Sequence, residues 1–368
     1  MAAPDLRPPA TVPLKDVLLS ALEGAGKRPL SLMGERGETI IVLPHGGRVL
    51  GLFSAVSDRN FLWTTAAFSS VESTREHFAS HLWCNSGGDR TWLAPEIDFF
   101  YPLYPDTTKK YYQPRELDPG NFTVVETPLQ ITLTNEFELC SFRGGWTAPL
   151  RITKSIRTTS DPLARGSGAS LSRDLEFAGY QLRTSLELLK TSDKQRRIGL
   201  WNLLQLPGGG EMIVPLYRSI EPVIYFGNIP AGALRHDDRF VRYRTSAPGE
   251  QKIGVDALAV AGRAGYVLQE ASASETASLV VRSFAVDASG PYVDAPLHSP
   301  EKGGHAFQAC NINTDYLGYF AELEYHVPAI GGAPDIQRSD DVSEVWAYRG
   351  TPELIDAAAH ELLGINLR

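Results

Sequence analysis

The run Tyr319-Phe320-Ala321-Glu322-Leu323-Glu324-Tyr325-His326-Val327 holds side chains that could do chemistry at a regular spacing. In an extended strand, successive side chains point to opposite faces. Tyr319, Ala321, Leu323, Tyr325 and Val327 then form an apolar face that belongs in a core, and Phe320, Glu322, Glu324 and His326 share the other. A carboxylate accepts paired hydrogen bonds from vicinal hydroxyls and can act as a general base. An aromatic ring covers the C–H face of a sugar. The row therefore suits a carbohydrate site, although the wet face of an ordinary antiparallel strand carries the same alternation.

A second stretch, His81 to Glu96, reads HLWCNSGGDRTWLAPE. Gly87-Gly88 permits a tight turn or a close backbone approach. If the segment is extended, Arg90, Trp92 and Glu96 share a parity. An arginine fork donates to ring and hydroxyl oxygens, and a tryptophan offers a stacking face. A glycine turn leading into a strand with a core tryptophan is the plainer alternative.

Other chemistries fail on residue type. His77 and His81 have the i, i+4 spacing of metal ligands on a helix, but no HExxH motif or third ligand accompanies them, so no metal is expected. The glycines of Trp201–Gly210 and Gly24-Ala25-Gly26-Lys27 lack the pattern of a phosphate loop, and no Gly-x-Ser-x-Gly elbow is present. No cofactor is expected. Cys84, Cys140 and Cys310 are odd in number and far apart, which fits reduced, mostly buried thiols rather than a disulfide framework.

The 368 residues are 43% hydrophobic and carry a net charge of −8 with no Lys/Arg run. That excludes a nucleic-acid footprint and suits a neutral polyol better than a polyanion. The absence of an apolar leader or span predicts a cytoplasmic protein that does not engage a membrane; a chain trimmed of a leader would read the same.

Short apolar or alternating runs separated by Gly, Pro, Asn and Asp fill the chain, from Thr39–Leu43, Val49–Phe53 and Phe61–Thr65 to Tyr319–Val327 and Val342–Tyr348. So many strands with so little helix between them predict an all-β fold of stacked antiparallel sheets. Helices are expected near both ends. One is capped by Thr11, with Pro13 in its first turn, and ends at Gly24. The other is capped by Thr351, opened by Pro352 and stopped by Gly364. A further short helix is expected over Ser73–His81. Residues 1–29 read as an N-terminal extension and 30–368 as one carbohydrate-binding domain, a monomer or weak homodimer.

Three blocks then carry a family resemblance: Gly87-Gly88-Asp89-Arg90-Thr91-Trp92-Leu93-Ala94-Pro95-Glu96, Trp201-Asn202-Leu203-Leu204-Gln205-Leu206-Pro207-Gly208-Gly209, and Phe320-Ala321-Glu322-Leu323-Glu324. Lys252-Ile253-Gly254 falls between the last two. Over roughly residues 30 to 350 the chain resembles an uncharacterised bacterial branch of the galactose mutarotase-like (aldose 1-epimerase-like) superfamily. The resemblance implies a β-supersandwich with an open, concave sugar groove. It also implies a glutamate general base on a late strand, a place that Glu322 and Glu324 both match. The acid histidine of mutarotases belongs to a mid-chain strand that here reads Leu200-Trp201-Asn202-Leu203-Leu204 and contains none; His81 or His326 would have to supply the proton. The expectation is a sugar-binding protein, either an epimerase with Glu322, Glu324 and His81 as catalytic candidates, or a non-catalytic sensor or lyase/hydrolase-associated module. Arg90, Trp92, Glu96, Asn202, Lys252, Phe320 and His326 are expected to contact the carbohydrate.

Overall fold

The computed structural model describes residues 12–190, 196–270 and 275–367. Strands make up 43% of the chain, about twice the usual share of a globular protein. They form two ten-stranded sheets, and every pairing between the described strands is antiparallel.

The first sheet runs in the order Leu30–Met33, Thr39–Leu43, Arg48–Phe53, Asp89–Ala94, Arg197–Pro207, Gly318–His326, Phe307–Thr314, Gly249–Val255 and Val223–Phe226, with Ile330–Gly331 added beside Arg197–Pro207. The second runs from Leu234–His236 to Thr123–Thr127 and is centred on the long strands Arg338–Gly350, Glu176–Leu188 and Trp146–Thr158. Leu204, Leu323 and Tyr325 of the first sheet join Ile152, Tyr180 and Val345 of the second in one apolar core.

That core holds a buried polar tie. Arg282 donates to Asp89 at 3.1 Å, and Tyr180 donates to the other oxygen of Asp89 at 2.7 Å. All three side chains are fully buried. The tie links the strand that carries Arg90 to the opposite sheet.

Thr39–Leu43 is apolar at nearly every position because both its faces are covered. Ile40 and Val42 enter the inter-sheet core, while Ile41 and Leu43 pack against Leu18 and Leu22 of the helix Lys15–Gly24. This helix starts later than its sequence signals suggest. Leu14 is its N-cap in extended conformation, so Pro13 precedes the helix; the proposed cap Thr11 lies outside the described residues. The C-terminal helix Pro352–Leu363 follows its signals closely. The Thr351 hydroxyl accepts from Leu354 N–H, and Gly364 closes the helix at φ 75°. Ile355, Ala358, Ala359 and Leu362 cover the outer face of the second sheet.

Phe61–Thr65 is not a strand. Its Trp63 N–H instead bonds the Gln205 carbonyl at 3.0 Å, and Thr64 makes an isolated bridge to Gly87. The expected Ser73–His81 helix is Val71–Ala79, capped by Ser70, so His81 lies beyond its end. Of the three thiols only Cys310 is buried; Cys84 is half-buried and Cys140 exposed.

Candidate functional site

Strand register builds the site. Along the Gly318–His326 strand, Glu322 lies opposite Gln205 on one side and Cys310 on the other, and Cys310 lies opposite Lys252. Directly paired residues point to the same face. Lys252, Cys310, Glu322 and Gln205 therefore form one row across four strands. The next row holds Arg90, Leu203, Glu324 and Gln308, and the next Trp92, Trp201 and His326. The first row, with Arg90, Leu203, Trp92 and Trp201 from the next two, floors a cavity of about 560 Å³ on the face away from the core.

Gly87 and Gly88 deliver the Arg90 strand to this floor. At φ 89° and 77° they adopt backbone that other residues avoid. A Cβ on Gly87 would come within 2.3 Å of the Trp63 carbonyl, and one on Gly88 within 2.3 Å of the Val49 carbonyl.

Arg90 donates to Glu322 Oε1 at 3.0 Å, and the Gln205 amide donates to the same oxygen at 2.9 Å. Glu322 lines the cavity, with Arg90 lying on the Trp92 ring at 4.1 Å from its centroid. The face of Trp92 is therefore taken by Arg90. Phe320 lines the cavity but is packed against Trp63. Among the lining aromatics, Tyr111, Phe226 and Tyr316 keep exposed surface.

Glu324 has a different place. It is fully buried and does not line the cavity. Its Oε2 accepts from Lys252 Nζ at 2.9 Å and from Trp201 Nε1 at 2.6 Å. Burial and the nearby Glu322 carboxylate raise its pKa to about 7, with Lys252 pulling the other way. Burial works against the charge on Lys252, but Glu324, Glu96 and Asp294 outweigh it and hold the ammonium above the ordinary lysine value. For this close pair the geometry decides: an ammonium and an indole N–H both aimed at one oxygen favour the ion pair.

Glu96 is the first residue of the short helix Glu96–Phe99, and its backbone N–H is held by Asp294 at 2.7 Å. Its carboxyl is reachable from the cavity yet closely surrounded by protein. Burial, followed by the Asp294 and Glu322 carboxylates, pushes its pKa up; Lys252 and the Tyr111 hydroxyl, which donates at 2.6 Å, oppose the shift.

Two nominated residues point elsewhere. Asn202 faces the opposite side of its strand from Trp201 and Gln205, and its side-chain oxygen accepts from Thr91 Oγ1 at 2.7 Å. His81 is exposed and lines a neighbouring cavity. His326 shares the floor face but lies under Trp201, stacked on it at 5.6 Å. Burial drives its pKa down to about 3, with Lys252 and His305 adding to the shift and Asp294 opposing it. Gln205, Tyr111 and Glu250 also line the cavity without having been singled out. Gln205 could have been found by parity with Trp201. Tyr111 comes from an irregular loop and Glu250 from a strand with no distinctive pattern, so neither had a sequence signal.

Cys310, Glu322 and Glu324 bring potential ligand atoms within 4.8 Å of one another. The set is a poor cation site, because Arg90 and Lys252 already occupy both carboxylates. Burial, Glu322 and Glu324 also push the Cys310 thiol up, so it stays protonated.

A two-sheet antiparallel sandwich with its polar floor on the outer face of one sheet is the galactose-mutarotase-like fold. Over residues 24–368 the chain belongs to a family of unknown function, DUF6786. It is similar in structure to a "putative aldose 1-epimerase" from Escherichia coli K12, with 11% identity and a TM-score of 0.51 over 89% of this chain and 100% of the other. A galactose 1-epimerase from Lactobacillus acidophilus NCFM aligns at 10% identity and TM-score 0.41, over 88% of this chain and 94% of the other. No curated protein matches the sequence. Among the described residues no helix is long and apolar enough to cross a membrane.

Proposed function

We propose that the cavity over Glu322 binds carbohydrate. The observation that carries this reading is the Arg90–Glu322–Gln205 cluster at the base of an open cavity, flanked by Tyr111 and Phe226. A carboxylate with unfilled lone pairs, a guanidinium and an amide offer acceptors and donors to neighbouring hydroxyls. The rings at the rim suit the C–H faces of a sugar. The likeness to an aldose 1-epimerase fold agrees with this reading without fixing the chemistry. Calorimetric titration with a panel of monosaccharides and short glycans tests it; saturable binding supports it, and no binding across the panel counts against it.

A catalytic reading is favoured by one further observation. Glu322 is paired with a cation, whereas the Glu96 carboxyl is pushed up by burial. Two carboxyls held in contrasting environments can divide the roles of base and acid. Glu322 would take the proton of an anomeric hydroxyl while Glu96 gives one to the ring oxygen. The C1–O5 bond breaks, an aldehyde forms, and the reverse transfers close the ring on either face. Glu96 then stands in for the absent histidine. Polarimetry of freshly dissolved α-anomers reads this activity directly; relaxation at the uncatalysed rate for every sugar that binds would leave a binding protein.

A further inference from the structure

Next to the Glu322 cavity lies a second one of about 300 Å³, and the two share Trp83, Lys110, Tyr111 and Gln113 in their walls. The second cavity sits over the Arg48 end of the same sheet. From the Glu322 strand to the Arg48 strand the order is Gly318–His326, Arg197–Pro207, Asp89–Ala94, Arg48–Phe53. Three strand spacings amount to roughly 14 Å, further than one pyranose ring reaches.

The partition between the cavities is fixed in place. Asp118 accepts from Trp83 Nε1 at 3.1 Å, Trp92 Nε1 at 2.9 Å and Arg48 at 2.6 Å. One buried carboxylate thus ties together the Trp83 partition, the Trp92 ring under Arg90 and the Arg48 guanidinium of the second cavity. Trp83 stays half-buried, and beside it Leu82 is 80% exposed. His45 and His77 line the second cavity, and their pKa values are pushed down to about 4 by burial together with Lys27 and Arg48. At neutral pH both are therefore uncharged, and His45 presents a neutral imidazole while the Nε2 of His77 is already hydrogen-bonded to Ser86 Oγ at 3.1 Å.

We propose that the ligand is an oligosaccharide rather than a monosaccharide, with one sugar over Glu322, another in the His45–His77 cavity, and the chain crossing Trp83. This rests on the carbohydrate reading of the Glu322 cavity and extends it to the substrate class. Uncharged imidazoles, an indole and an exposed leucine, set among Arg48, Lys110 and Arg115, form a wall that offers hydroxyl partners and apolar surface, continuous with the Arg90–Glu322–Gln205 floor.

The test is calorimetric titration of the full chain with cello-, xylo- and galacto-oligosaccharide ladders of one to four units. Affinity is expected to rise at least tenfold between one and three units in the ladder that binds best. In a protein carrying both His81→Ala and Arg115→Ala, two exposed side chains of the second cavity, that gain is expected to shrink at least fivefold. Monosaccharide binding with no gain on lengthening overturns the two-cavity ligand while leaving the carbohydrate reading intact. A gain that survives the double substitution also overturns it. No binding of any length removes the carbohydrate reading itself.

Discussion

Arg90 and Glu322 are 232 residues apart in sequence and 3.0 Å apart in the fold, on strands separated by Arg197–Pro207. Gln205 of that intervening strand donates to the same carboxylate oxygen. Three strands distant in sequence thus meet at one oxygen at the base of the cavity.

The neighbouring Glu324 should behave differently from Glu322. Glu324→Gln removes the counter-charge of a buried Lys252, and breaking a buried ion pair costs about 3 kcal/mol. Chemical denaturation should register that loss, while glycan affinity in the folded fraction falls less than it does for Glu322→Gln. Equal stability with lost binding would move Glu324 into the cavity's contact set.

The inter-sheet tie predicts a large stability effect far from the cavity. Arg282→Met leaves Asp89 buried without its cation and should destabilise the protein by about 3–5 kcal/mol. Replacing Asp89 by Asn in the same chain should recover part of the loss, because the uncompensated charge is then gone. Urea unfolding of the single and double variants measures both; a single variant as stable as wild type would contradict the tie.

The share of stability that His326 contributes should fall on mild acidification. His326 has a folded pKa of about 3 against an ordinary value of 6.5. A lowered folded pKa means that the unfolded chain binds more protons between those values. The stabilisation is therefore full above pH 6.5 and is lost as pH falls toward 3. Between pH 7.5 and 5 this group alone accounts for about 2 kcal/mol. The groups around it are Asp294, Lys252 and His305. His326→Phe should flatten the pH dependence of the unfolding midpoint by a matching amount, and an unchanged slope would count against a neutral buried His326.

The alternation of residues 319–327 exposed the two faces of that strand in the sequence, and Ala321, Leu323 and Tyr325 do enter the core. It could not separate Glu322 from Glu324, because both occupy the same face. What separates them is cover by Lys252 and Trp201, which arrive from other strands. Parity within Trp201–Gln205 was readable, but which parity faces the cavity was not. The register with Gly318–His326 settles it, putting Gln205 beside Glu322 and turning Asn202 toward Thr91. Glu96 kept its place near Arg90 by a different route from the one its spacing suggested, because the strand ends at Ala94 and Glu96 opens a helical turn. Phe61–Thr65 has the composition of a strand, yet its neighbours in space pair with other partners. Sheet order and the sharing of Asp118 among Arg48, Trp83 and Trp92 depend on contacts between distant segments, which local pattern does not encode.

The most direct measurement of the central claim compares wild type with Glu322→Gln against the same best-binding glycan by titration calorimetry. The substitution keeps the size of the side chain and an oxygen for Gln205 but removes the charge facing Arg90 and the cavity. At least tenfold weaker binding is predicted, equivalent to about 1.4 kcal/mol, in protein shown by circular dichroism to be folded. Affinity equal to wild type in the folded variant would contradict the assignment of Glu322 as the carboxylate that holds the sugar.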